Sequence, residues 1–138
     1  MSRRGFVKGA TVGGADSETL QRLDSFSNYI GIAYQIKDDL SDYLGDKGDI
    51  SVRKFSVLLS LLAEELAGPE KELLQRAFET NDNEFIYKLI DSYNIAKKTE
   101  ILLIDYIHKA ESCLDNFPNL GLKLALHEIL GKIFKDYM

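Results

Sequence analysis

The stretch Tyr34-Gln35-Ile36-Lys37-Asp38-Asp39-Leu40-Ser41-Asp42-Tyr43 holds the densest group of residues able to do chemistry. On a helix, Asp38 and Asp42 are four residues apart and share a face, and Gln35 lies three residues earlier on that face. Asp39 sits about 100° further round and could reach the same ion through water. Like charges at this spacing cost a helix roughly a few tenths of a kcal/mol, and they lie toward the negative end of its dipole. A cation would offset both penalties. Magnesium (Mg2+) suits the geometry because it takes one or two carboxylates, keeps several waters and fills its other positions with substrate phosphates. Within twelve residues of Asp42 come Lys47, Arg53 and Lys54, cations that could neutralise a metal-bridged diphosphate. A solvated acidic helix end followed by a charged loop has the same pattern, and spacing alone does not separate the two readings.

The elements that must position these residues read as all helical. β-Branched alternation is nowhere sustained, and the only prolines are Pro69 and Pro118. A short helical piece is expected over residues 2–11, ending at Gly13-Gly14. Asp16 or Ser17 should cap a long helix with a stripe through Leu20, Leu23, Phe26, Ile30, Ala33, Ile36 or Tyr34, Leu40 and Leu44. Gly45 is the expected C-terminal cap, and a polar loop from Gly45 to Ser51 follows. A second helix, about Val52 to Ala67, is apolar nearly all round in its middle, as a central bundle helix would be. Pro69 opens a helix through Phe78, and Asn81-Asp82-Asn83 separates it from another over 83–92. Beyond the Tyr93-Asn94 break, a long helix over 95–116 buries Ile95, Thr99, Leu102, Leu103, Tyr106, Ile107, Ala110 and Leu114. Pro118 ends it, and an amphipathic helix runs on to the C-terminus.

At 138 residues the chain fits a single helical domain, residues 1–138, with one core. Its 45% hydrophobic and 28% charged composition is that of an ordinary globular protein. A net charge of −5 argues against a sequence-independent grip on nucleic acid. The apolar runs fall far short of the ~20 residues of a transmembrane segment. Met1-Ser2-Arg3-Arg4-Gly5 has no apolar run behind it, so no secretory signal is expected and a cytoplasmic location is. Cys113 has no internal disulfide partner and reads as a small core or surface residue. His108 and His127 flank apolar helical positions and read as solvent-facing, Glu64-Glu65 as an exposed, unpartnered pair, and the tyrosines as core edge.

The order of features, from Gly9-Ala10-Thr11-Val12-Gly13-Gly14-Ala15 through Gly31 to Tyr43, resembles the C-terminal half of the trans-isoprenyl (polyprenyl) diphosphate synthases. The Gln-x-x-Asp-Asp-x-x-Asp pattern from Gln35 to Asp42 is similar to that family's second aspartate-rich motif, and Asp49 to Lys54 resembles the stretch leading to its substrate-contacting lysine. The resemblance implies the C-terminal part of the isoprenoid-synthase helical bundle. It implies Asp38 as a direct magnesium ligand, with Asp39 and Asp42 assisting. Gln35 and Tyr34 would lie beside the substrates, and Lys47 and Lys54 would neutralise the departing diphosphate. The implied reaction is prenyl transfer from an allylic diphosphate to isopentenyl diphosphate. It demands charge stabilisation in a dry cavity.

Two departures stand beside this. Lys47 and Asp49 are closer together than the family spaces them. The first aspartate-rich motif and the early Gly-Lys with its arginines are missing, so the chain alone should not catalyse the condensation. It is expected to act only when completed by a first half, as a homo- or hetero-oligomer. The alternative is a non-catalytic helical partner of a full-length synthase. A terpene-cyclase-like site fits less well, because Gly45 stands where that pattern needs Glu, and a plain helical bundle is the remaining reading.

Overall fold

The computed structural model describes residues 17–45 and 55–138, and every described element is helical. They are α1 (Ser17–Leu44), α2 (Ser56–Glu65), α3 (Pro69–Glu79), α4 (Asn83–Ser92), α5 (Ile95–Ser112) and α6 (Leu120–Ile133). A 3-10 turn, Lys135–Tyr137, follows α6. The expected piece over 2–11, the Gly13-Gly14 break, Asp16 and the start of the second helix at Val52 lie outside the described residues. Contacts group the chain into two compact units, residues 1–35 with 103–138, and residues 36–102.

α1 is 28 residues long because its apolar stripe never loses phase. Leu23, Phe26, Ile30, Ala33, Ile36, Leu40 and Tyr43 are all buried, at steps of three and four. The choice between Ile36 and Tyr34 falls to Ile36, and Tyr34 is 55% exposed. Leu44 is a correction. The last buried position is Tyr43, three on from Leu40, which turns Leu44 to solvent. Gly45 closes the helix, its amide donating to the Ser41 carbonyl at 3.0 Å.

In the first unit, α1 supplies Leu23, Phe26, Ile30 and Ala33 to the buried set, α5 supplies Leu103, Ile107 and Ala110, and α6 supplies Leu126 and Leu130. Arg22 ties α1 to the turn after α5: its guanidinium donates to the Asp115 carbonyl at 2.7 Å and pairs with Glu18 at 3.2 Å. Tyr29 and Tyr106 pack with ring centroids 6.2 Å apart. α5 ends at Ser112, four residues before the expected boundary, and Asn116 then takes a φ of 58°.

In the second unit, the core joins Tyr43 and Phe55 with Leu58 and Leu62 of α2, Ala77 of α3, and Ile86 and Ile90 of α4. α2 differs from expectation. Only Leu58 and Leu62 of this helix are buried, while Ser60, Ala63 and Glu64 are exposed, so one side stays open. It stops at Glu65 because Leu66 turns extended (ψ 150°) ahead of Gly68 and Pro69. Gly68 has a φ of 56°, a left-handed conformation that glycine adopts without steric cost. Pro69 then opens α3. Asp82 caps α4, its carboxylate accepting from the Phe85 amide at 3.3 Å. Glu65 is exposed as expected but not unpartnered, since Lys98 of α5 meets it at 2.7 Å. Thr99, fully buried, donates its hydroxyl to the Ile95 carbonyl at 2.7 Å.

Candidate functional site

The aspartate-rich stretch occupies the last turns of α1, and the helix sorts its side chains by direction. Gln35, Asp38 and Ser41 are exposed, Asp42 is half-buried, and Asp39, Leu40 and Tyr43 face inward. Gln35, Asp38 and Asp42 fall on one face at the i, i+3 and i+7 positions of one continuous helix. No basic residue occupies the last turn of α1, so the two carboxylates stand at the negative end of the dipole with no cation in that turn.

Asp39 is placed differently. It is 2% exposed, and its Oδ2 accepts from the Ser56 hydroxyl at 3.2 Å and from the Val57 amide at 2.9 Å. Phe55, at the N-cap of α2, makes no side-chain capping bond, so the carboxylate of α1 satisfies an amide that α2 would otherwise leave open. Beneath the motif, three rings pack together. Tyr43 meets Phe55 edge-on, 5.6 Å between centroids and 86° between planes. Tyr87 of α4 lies 6.1 Å from each of them. Burial, and then the neighbouring Tyr43, push the Tyr87 phenol above its ordinary pKa.

Lys47 and Lys54, with Asp49 and Arg53, lie outside the described residues. Tyr34 is on the exposed side of α1, one residue before Gln35. Among the described residues, no three Asp, Glu, His or Cys side chains converge to hold an ion by themselves. Asp38 and Asp42 are thus a pair. Two hard oxygen ligands one turn apart on an open helix face suit magnesium, which completes its shell with water and phosphate. The donor set fits as part of a site.

Two features escaped the sequence reading. Ser56 as a partner of Asp39 lies seventeen residues away, and only the folded chain brings it in. The Tyr43–Phe55–Tyr87 contact looked like scattered core edge, although Phe55 directly follows Lys54 and Tyr43 directly follows Asp42. Elsewhere, a shallow cavity of about 460 Å³ is lined by Tyr29, Asp105, His108, Lys109, Ser112 and Cys113. Its charged members are already matched: Lys109 pairs with Asp105 at 3.2 Å and stacks 4.6 Å above the Tyr106 ring. His108 is exposed, as expected, and His127 is half-buried.

Comparison with known proteins decides the family. The polyprenyl synthetase family model matches residues 5–94, a span containing the whole aspartate-rich stretch. The chain belongs to that family. A prenyl transferase of Cyanophora paradoxa is 29% identical over 112 residues, covering 75% of this chain and 35% of that protein. A decaprenyl-diphosphate synthase of Dictyostelium discoideum is 30% identical over 118 residues, 79% of this chain and 26% of its own length. The crystal structure of a decaprenyl diphosphate synthase from Rhodobacter capsulatus matches with a TM-score of 0.78 at 25% identity. That match covers 96% of this chain and 44% of the neighbour. The polyprenyl synthetase chain described here is therefore all-α in the manner of the isoprenyl synthases. It spans about a third or less of the length of these curated relatives. No helix among the described residues is long and apolar enough to cross a membrane.

Proposed function

We propose that this chain supplies the second-aspartate, C-terminal half of a trans-polyprenyl diphosphate synthase site. The reaction is prenyl transfer from an allylic diphosphate to isopentenyl diphosphate, in isoprenoid biosynthesis. The observation that carries the reading is the pair of exposed Asp38 and half-buried Asp42, one turn apart near the end of α1 within the span matched to the family.

Asp38 and Asp42 would hold Mg2+ for the diphosphate substrate, and Gln35 sits one turn back on the same face, where its amide would donate to substrate oxygens. Tyr34 lies beside the prenyl chain. Lys47 and Lys54 stabilise the charge that builds on the diphosphate as its allylic C–O bond breaks, which makes them the electrostatic half of the catalysis. The bound cation supplies Lewis-acid stabilisation of the departing diphosphate. The pair on α1 is one part of the ligand set the full reaction needs. The remaining part of the fold, in the same polypeptide or in another chain of a homo- or hetero-oligomer, completes the site, and this segment alone is inactive. The matched 44% of the decaprenyl diphosphate synthase chain supports that division.

Calorimetric titration with inorganic diphosphate in the presence of magnesium, on the wild type and on Asp38→Ala, tests the reading. Weak binding that disappears in Asp38→Ala supports it. Equal and negligible heats in both proteins would remove it.

A further inference from the structure

The two neighbouring aspartates of the motif point in different directions, and this separates their roles. We propose that Asp39 is the positioning residue of this site and not one of its metal ligands. Its carboxylate anchors the start of α2 to α1, and so sets where the lysine-bearing stretch rejoins the fold relative to Asp38 and Asp42. The proposal rests on the diphosphate reading above.

Three observations carry it. First, consecutive helix residues are about 100° apart, and here that rotation takes Asp38 to solvent and Asp39 to 2% exposure. Second, Asp39 Oδ2 already accepts from the Ser56 hydroxyl and the Val57 amide, at 3.2 and 2.9 Å. Swinging the group outward to an ion would take the acceptor from the Ser56 hydroxyl and from the half-buried Val57 amide, which the N-cap residue Phe55 makes no side-chain bond to replace. Third, the anchor falls where chemistry would need it. Val57 is three residues after Lys54 in the chain, and Phe55, between them, is fully buried against Tyr43 and Tyr87. The carboxylate and the ring cluster thus fix the same few residues of backbone from two sides. A cation stabilises a departing diphosphate best when it is already in place.

The test is magnesium-dependent binding of inorganic diphosphate by the full chain, measured by calorimetry well below the thermal transition. The variants are Asp39→Asn, Asp39→Ala, Ser56→Ala and Asp38→Asn. Amide hydrogen exchange at Val57 is followed in each. Asparagine keeps an oxygen that accepts from Ser56 and Val57, so Asp39→Asn should bind within about threefold of wild type. Asp39→Ala should weaken binding by about tenfold to a hundredfold, as removal of a supporting partner does. Ser56→Ala should lie between, and Asp38→Asn should lose binding. A loss in Asp39→Asn as large as that in Asp38→Asn would make Asp39 a ligand and overturn the proposal. A lower melting temperature in Asp39→Ala with unchanged affinity would reduce Asp39 to a purely structural residue and also overturn it. Absence of binding by the wild type removes the diphosphate reading and this role together. Val57 exchange decides the anchor separately: it should accelerate in Asp39→Ala, and unchanged exchange refutes the anchor itself.

Discussion

Truncating Phe55 should cost this fold heavily, and the cost follows from its surroundings. Its ring is fully buried at the entry to α2 and touches Tyr43 from α1 and Tyr87 from α4. Phe→Ala at a packed core position costs about 3–5 kcal/mol, from lost transfer energy and from the cavity left behind. The upper part of that range applies here, because two aromatic contacts, each worth about 0.5–1.5 kcal/mol, go with the ring. A loss of about 4 kcal/mol is a large share of the roughly 5–15 kcal/mol that holds a domain folded. With a urea slope of about 2 kcal/mol per M, the midpoint should fall by about 2 M. Urea unfolding followed by circular dichroism measures it. The chain has seven tyrosines and no tryptophan, so near-ultraviolet tyrosine signals give the second probe. Phe55→Leu, which refills most of the space, should lose only about 1–1.5 kcal/mol. A loss below about 1 kcal/mol in Phe55→Ala, at unchanged slope, would refute the view that these rings bind the motif helix to its neighbours.

Three further outcomes are expected. Neutralising the Glu65–Lys98 pair with Glu65→Gln should cost at most about 0.5 kcal/mol, because both side chains are 41% exposed, and the effect should vanish in high salt; urea titrations at low and high salt measure it. Asn94, at a φ of 53°, should lose roughly 1 kcal/mol on replacement by Ala and little or nothing on replacement by Gly, read as paired thermal melts. Burial pushes the Cys113 thiol above its ordinary pKa, although Arg22 opposes this. The thiolate fraction at pH 8 should therefore be smaller than in a free thiol, and iodoacetamide should alkylate Cys113 more slowly than glutathione, the rate rising with pH beyond the range where glutathione levels off.

The helices were legible because each carries its own signals. The stripe from Leu23 to Leu40, Pro69 at the start of α3, Asp82 before α4 and the asparagine breaks are all local, and the chain honours them. Errors arose where phase or tertiary contact decides. Leu44 and Tyr43 differ by one residue, and only packing against Phe55 and Tyr87 selects Tyr43 for the interior. α2 looked wholly apolar because its leucines are consecutive in kind, yet Ser60 and Ala63 mark an open side. The pairing of Glu65 with Lys98 crosses from α2 to α5, beyond the reach of any helical spacing rule. At the site, the shared face of Gln35, Asp38 and Asp42 was readable from spacing. The inward turn of Asp39 was not, since its partners Ser56 and Val57 belong to another helix.

The asparagines at 81, 94 and 116, each with φ between 53° and 58°, bear on how fast such a chain organises. A left-handed residue beyond a helix end reverses direction using bonds from the preceding turn, so the reversal needs no distant partner. Around Asn81, the Asp82 amide already donates to the Ala77 carbonyl at 2.8 Å. Segments α3, α4 and α5 can then meet through contacts between near neighbours in sequence, the regime of low contact order in which folding is fast. The Asp39–Val57 anchor belongs to the other regime. It closes a loop of eighteen residues between two helices, and loop closure costs entropy before its contacts repay it. The helical hairpins should thus form first and the aspartate anchor later, so the link between α1 and α2 is the part that assembles last.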